Sequence, residues 1–291
     1  MHFSYDDPVH FCHISPTRYL PQLTQFNGAH LLLAHLVESD KEYRDFYAKL
    51  DDGKYKIMDN SAFEMFKQGR DMYDSSKLIK MGKQCKADCI VLTDYPRERS
   101  VKTIEAATRL IGEVKAAGFD TFFCPQSQLG DLDDLMFAFE WALNNAQIDV
   151  IGVSILACPI ALGIDEKAAK AERNDAYKLQ RFLSRLKIFT ELNNRGLLDH
   201  RAIKRFHCLG MVDGPNEVEL LGDFHKYIRT WDSSAGVWAG LNGIRFDNSP
   251  TGLMNGKFEK EVEFGMNEPL DMDKLNDVLY NIQVINRMCN Q

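Results

Sequence analysis

The sequence has no apolar run approaching the roughly 18 residues a membrane-crossing helix needs, so no membrane span is expected. Its opening, Met1-His2-Phe3-Ser4-Tyr5-Asp6-Asp7, lacks the basic start and apolar core of a secretion signal, and a cytoplasmic protein is expected. The cysteines do not suit a disulfide framework. There are seven, an odd number, and several sit inside apolar runs as small buried hydrophobes do. No low-complexity segment is present, and no repeat beyond a strand–helix rhythm. No Gly-rich phosphate turn follows the first strand, which disfavours an open, doubly wound nucleotide-binding sheet. Positive charge is in deficit: 35 Lys and Arg against 42 Asp and Glu give −7, which excludes a protein coated in positive charge but not a local basic groove.

What is present suits one large core. The chain has 291 residues, a normal length for a single α/β barrel, where about 250 is typical, and its 45% hydrophobic and 26% charged residues are those of a soluble globular protein. After an opening punctuated by Pro8, Pro16 and Pro21, apolar runs at 29–36, 55–59, 89–94, 120–126, 149–154, 206–210 and 227–232 read as strands. Helical patterns alternate with them: from Ser39, a cap-type serine with Glu42 three residues on, to about 50; 75–85; from Ser100 to a stop at Gly118; from Asp131; a long stretch to about 194; 216–224; and 271–288. Between Asp232 and the last helix, Gly236, Gly240, Gly243 and Gly252 give a loop-like tract. Near-continuous apolar strands alternating with helices mean a parallel sheet buried on both faces. Seven units are countable and an eighth is obscure, which favours a single-domain (β/α)8 TIM barrel spanning 1–291.

The residues that end these strands are Asp59, Asp94, Gln126, Ser154, Gly210 and Asp232, all but the glycine polar. In a parallel barrel they share one rim, the rim that carries active sites. Each alone also reads as a helix cap or turn former. Two acids meeting there divide nucleophile and base roles between them. His10-Phe11-Cys12-His13 offers three metal ligands but no fourth nearby, so no metal and no cofactor is expected. Cys85 and Cys89 straddle a helix end and a strand. His207 lies in a strand as a satisfied core histidine, and Trp141 and Trp231 read as packing residues. Trp238, in the glycine-rich tract, reads either as a wedge for a base stack or as a cover over the core. Lys167, Lys170, Arg173, Lys178, Arg181 and Arg185 recur at steps of three to five, with Arg201, Lys204 and Arg205 close behind. They are phosphate contacts or merely a solvated face interleaved with Asp165, Glu166, Glu172 and Asp175.

Asp59-Asn60-Ser61-Ala62-Phe63, Asp94, Gln126 and the segment from Cys208-Leu209-Gly210 through Pro215 and Glu217 to Arg229-Thr230-Trp231-Asp232-Ser233-Ser234 resemble, in order and spacing, the tRNA-guanine transglycosylase superfamily. That family carries an Asp-Ser-Gly-Gly-Phe/Tyr motif after an early strand and a Leu-Met-Gly…Pro-Glu/Asp segment leading to a Phe-Asp-Cys-like motif. The Asn-Ser-Ala-Phe-Glu version is similar to the shorter branch, in phages and bacterial modification islands, that exchanges guanine in DNA for a 7-deazaguanine. Departures are visible. Beyond position 208 only Cys289 remains, so the usual C-terminal zinc subdomain is not expected, which weighs against tRNA as substrate. Ser61-Ala62 replaces the glycine pair, and the Gly-Gly-Leu motif is reduced to Gly152-Val153-Ser154.

The resemblance implies Asp232 as nucleophile on the anomeric carbon and Asp59 as general acid/base, with net retention. It implies Asp94 and Gln126 on the polar edges of the base, Phe63 and Leu209 against its faces, and further substrate contacts from Asn60, Ser61, Gly152, Ser154 and Gly210. Lys178, Arg181, Arg185 and Trp238 are the expected nucleic-acid contacts. The implied partners are DNA, or tRNA as the alternative, with a free 7-deazaguanine such as 7-cyano-7-deazaguanine and the released guanine. The oligomeric state is open, a homodimer included. Competing functions are a tRNA-directed enzyme without a zinc module, a retaining nucleosidase or glycosidase, and a non-catalytic nucleic-acid-binding barrel.

Overall fold

The computed structural model describes residues 3–171, 176–211, 213–253 and 271–290. Eight parallel strands form one sheet: β1 His10–His13, β2 His30–Leu33, β3 Lys56–Asp59, β4 Cys89–Val91, β5 Asp120–Phe123, β6 Val150–Ser154, β7 Phe206–Leu209 and β8 Ile228–Ser233. Each strand pairs with its sequence neighbour from β2 to β8, and β1 pairs with β8, with Cys12 opposite Asp232. At the seam between β1 and β2, Gly28 N–H donates to the Phe11 carbonyl at 2.8 Å and His13 N–H to Asn27 Oδ1 at 3.1 Å. A Cβ on Gly28 would stand 2.9 Å from His10 Cα, so only glycine lets the chain run this close. With helices packed outside, this is the (β/α)8 TIM barrel, and no helix among the described residues is long and apolar enough to cross a membrane.

The obscure eighth strand is β1, at the start of the chain. Its apolar content is slight because only Phe11 and Cys12 lie between two histidines, and nearby prolines mask the pattern. The segment weighed as a metal site is therefore barrel wall. Phe11 faces outward and stacks with Trp231 at 6.4 Å between centroids. Cys85 ends one helix and Cys89 starts β4, and all seven cysteines are free and buried.

Three local expectations change. The expected strand over 29–36 stops at Leu33, and Ala34–Ser39 is helical, because a short apolar run fits a buried helix as well as a strand. Asp40, not Ser39, caps the next helix, Lys41–Lys49, accepting from Glu42 N at 2.9 Å and Tyr43 N at 3.1 Å. Ser100 is the first residue of its helix, with its N–H and hydroxyl each bonded to Asp134 at 2.7 Å.

The glycine-rich tract after Asp232 is in part a helix, Ala235–Leu241, packed on the C-terminal helix Met272–Cys289 that Asp271 caps. Its glycines serve the packing. A Cβ at Gly240 would lie 2.3 Å from Val278 N and 2.4 Å from Val278 Cα, so the two backbones touch there. Helix propensity alone favours alanine at such a site by about 1 kcal/mol. The collision reverses the sign, and Gly240→Ala is expected to cost about 1–3 kcal/mol, read as a lowered denaturation midpoint.

Candidate active site

A cavity of ≈ 390 Å³ opens at the C-terminal ends of the strands. Four carboxylates line it, those of Asp59, Glu64, Asp94 and Asp232, and among the described residues no Lys, Arg or His does. Its walls are apolar, with Leu31, Leu33, Val91, Leu209, Met211 and Trp238 among them. Strand alternation places the acids. In β7 and β8, His207 is opposite Thr230 and Leu209 opposite Asp232, so these four point into the barrel while Cys208 and Trp231 point at the helices.

Asp59 ends β3, and its Oδ2 accepts from Ser61 N–H at 3.0 Å. Ser61 itself adopts φ 53°, a left-handed conformation that costs a non-glycine residue about 1–2 kcal/mol, and it starts the helix Ala62–Gln68. That turn swings Glu64 back over the cavity. Burial, reinforced by the negative charges of Glu64 and Asp232, pushes the Asp59 carboxyl well above its usual range. Burial also raises Glu64, with the charge of Asp232 adding to it.

Asp94 lies three residues past β4 and is clamped. Oδ1 accepts from Asn60 Nδ2 at 2.7 Å and Oδ2 from Gln126 Nε2 at 2.6 Å, while Asn60 Nδ2 also reaches the Leu92 carbonyl at 2.7 Å. Burial lifts its pKa from 3.8 to about 6 against the opposing pull of those two amides. All three raised acids bind protons more tightly in the folded than the unfolded state, so their contribution to stability is greatest at low pH and declines as pH rises; for Asp94 the decline runs from about 4 through about 6.

Asp232 sits within β8, and its Oδ1 accepts from His207 Nε2 at 2.8 Å and from Gly210 N–H at 3.3 Å. Gly210 takes φ 74°, and a Cβ there would lie 2.8 Å from Ile155 Cγ2. Ser154 lines the cavity with its hydroxyl oxygen accepting from Leu156 N–H at 3.1 Å. Phe63, 48% exposed, stands at the mouth, and Leu209 lines the interior.

Of the expected substrate contacts, Asp59, Asn60, Phe63, Asp94, Gln126, Ser154, Leu209, Gly210 and Asp232 line this one cavity. Two do not. Ser61 is fully buried with its hydroxyl 2.9 Å from His35 Nδ1, so it shapes the turn. Gly152 is covered: a Cβ there would meet Leu209 Cδ1 and Phe122 Cε2 at 2.7 Å, so it makes room for Leu209.

The expected nucleic-acid contacts need larger correction. Arg185 is 0% exposed, paired through two 2.6 Å bonds with Glu217 and donating to the Gly210 carbonyl at 2.6 Å. It is a core residue. Arg181 is engaged with Asp213 through two 2.6 Å bonds, and only Lys178 of the three cations is exposed. Trp238 lies in a helix, partly buried over the Tyr19–Leu23 cluster and the cavity, and covers a core instead of projecting from a loop. Lys204 and Arg205 precede β7, at the end of the barrel opposite Asp232, and both are tied to backbone carbonyls: Lys204 to those of His225 and Ile228, Arg205 to that of Leu143. Arg201 pairs with Asp199 at that same end. Glu172, Arg173 and Asp175 lie outside the described residues.

Two site residues were not anticipated. Glu64 follows Asp59 by five positions, within the same Asp-Asn-Ser-Ala-Phe-Glu run, and its signal was its place in the first turn after a strand. His207 carried a signal in the β7 alternation, which puts it on the same face as Leu209. No family model matches the chain, and no curated protein matches it.

Proposed function

We propose that the cavity exchanges bases on a polynucleotide: a guanine transglycosylase that replaces guanine in DNA with a 7-deazaguanine through a covalent aspartyl-glycosyl intermediate. One observation carries this reading. Asp59, Asp94 and Asp232 line a single cavity with no cation in its described lining, yet in three different surroundings.

Each surrounding suits one role. Asp232 attacks the anomeric carbon as the bond to the guanine N9 breaks, and a ring of carboxylates favours the positive charge that develops on the sugar. Asp59, whose carboxyl burial and its acidic neighbours make a tighter proton holder than usual, gives its proton to the departing guanine. The incoming base returns a proton to Asp59, and its nitrogen attacks the sugar from the vacated side, freeing Asp232. Asp94 in its ionised form accepts from the guanine N1–H and exocyclic amine, and the Asn60 and Gln126 amides that clamp it leave it as an acceptor. Phe63 and Leu209 border the base. An acidic cavity repels phosphates, so the backbone stays outside and only an unstacked nucleotide enters, at a cost of a few kcal/mol.

The deciding experiment incubates the protein with plasmid DNA or tRNA and labelled 7-cyano-7-deazaguanine. Label in DNA supports the proposal; label in tRNA alone moves the substrate to tRNA. Guanine release without uptake makes the enzyme a nucleosidase, and no release from either polymer removes the activity.

A pH dependence follows from Asp94. Below about 6 its carboxyl gains a proton and becomes a donor facing two donors of the base. The KM for the free base is therefore expected to rise as pH falls from 8 to 5, with a midpoint near 6. Asp94→Asn, neutral throughout, is expected to show the weakened binding at every pH and no midpoint.

A further inference from the structure

Asp232 is held by one oxygen. Among the described residues, both of its hydrogen bonds, from His207 Nε2 at 2.8 Å and Gly210 N–H at 3.3 Å, end on Oδ1. His207 is 0% exposed, and its ring packs 5.1 Å from that of Phe122. Its other nitrogen, Nδ1, lies 2.7 Å from Thr230 Oγ1, and Thr230 is fully buried as well. The four groups stand on two adjacent strands in direct register, His207 opposite Thr230 and Leu209 opposite Asp232, so their spacing is set by the barrel wall.

A hydroxyl that donates to Nδ1 fixes the neutral tautomer with its hydrogen on Nε2, the nitrogen that faces Asp232. We propose that Thr230 and His207 form a positioning pair that locks the rotation of the Asp232 carboxylate through Oδ1 and presents Oδ2 as the attacking oxygen. This rests on the reading of Asp232 as the nucleophile. The carboxylate would otherwise turn about its last bond, and misplacing a reacting atom by about 1 Å costs about 10²-fold in rate. Neither His207 nor Thr230 lines the cavity, so the pair acts on the chemical step and leaves base binding alone.

The test compares Thr230→Val, which keeps the shape and removes the hydroxyl, with Thr230→Ser, which keeps the hydroxyl, and with His207→Phe. Each is measured for kcat, for KM of the free base and for melting temperature. Thr230→Val is expected to lower kcat about 10-fold at unchanged KM, the effect of one lost hydrogen bond, and Thr230→Ser to restore it. His207→Phe is expected to lower kcat about 10²-fold. If His207→Phe fails to fold, the two threonine variants decide alone. Wild-type kcat in Thr230→Val, or a loss that tracks the folded fraction and is not restored by serine, overturns the proposal. Asp232→Asn is run alongside: activity lost there but untouched in Thr230→Val removes the positioning pair only, whereas activity retained in Asp232→Asn removes the nucleophile and the pair with it.

Discussion

Asp232→Asn is expected to reduce guanine release by on the order of 10⁴-fold or more, the scale of losing a central catalytic group, while the folded protein persists. Asparagine has the same shape. Its amide oxygen can take the place of Oδ1 and accept the same bonds from His207 Nε2 and Gly210 N–H. Its nitrogen then occupies the place of Oδ2, with neither the charge to stabilise a cationic sugar nor the lone pair to bond with it. Melting temperature and KM for the free base are expected to stay near those of the wild type, since Asp94 and Gln126 are untouched. A denaturation-resistant adduct between protein and polynucleotide, trapped with the wild type, is expected to be missing from the variant. Its persistence would move the nucleophile to Asp59.

The convergence of Asp59, Asp94, Gln126 and Asp232 is legible without coordinates because strand direction decides it. Once the apolar runs identify a parallel barrel, whatever ends those runs must share a rim. β1 escapes because a strand of four residues with a histidine at each end carries too little apolar signal. The basic residues mislead for a different reason. Lys178, Arg181 and Arg185 share a face only if one helix carries them, but the chain breaks at Leu183 between Ala176–Phe182 and Ser184–Asn194. The break turns Arg185 inward against Trp231, 4.6 Å from its ring, while Lys178 remains outside. In sequence the two are equivalent; only the acid waiting at Glu217, 32 residues on, separates them. His207 illustrates a middle case: the alternation shows which way it faces, but not that Asp232 on the next strand stands within hydrogen-bonding reach.

The largest loss of stability is expected from Glu217→Ala. Arg185 and Glu217 are 0% and 2% exposed, and their paired 2.6 Å bonds bring a guanidinium into the core where water cannot follow. Its remaining donors reach the Gly210 carbonyl at 2.6 Å and the Leu209 carbonyl at 3.1 Å. Removing the glutamate leaves the positive charge buried against carbonyl dipoles and the face of Trp231, with no counter-charge from Glu217, which costs about 3–5 kcal/mol. That is a large share of the roughly 5–15 kcal/mol that holds a typical fold, and for a chain of this size corresponds to a melting temperature lower by about 10 °C. The double substitution Arg185→Met with Glu217→Leu removes both charges together and is expected to recover most of the loss, because desolvating the pair offsets much of what their attraction contributes. The two variants separate fold from function. In the double variant, among the described residues, the Gly210 carbonyl keeps only the bond from Trp231 Nε1 at 3.1 Å, and Gly210 is the residue whose N–H meets Asp232. A protein that melts near the wild-type temperature yet turns over more slowly is therefore the expected result, read by thermal denaturation and by kcat on the same sample. Equal melting temperatures for Glu217→Ala and the wild type would mean that the guanidinium reaches water, and the buried pair would no longer count as a main support of the β7 end.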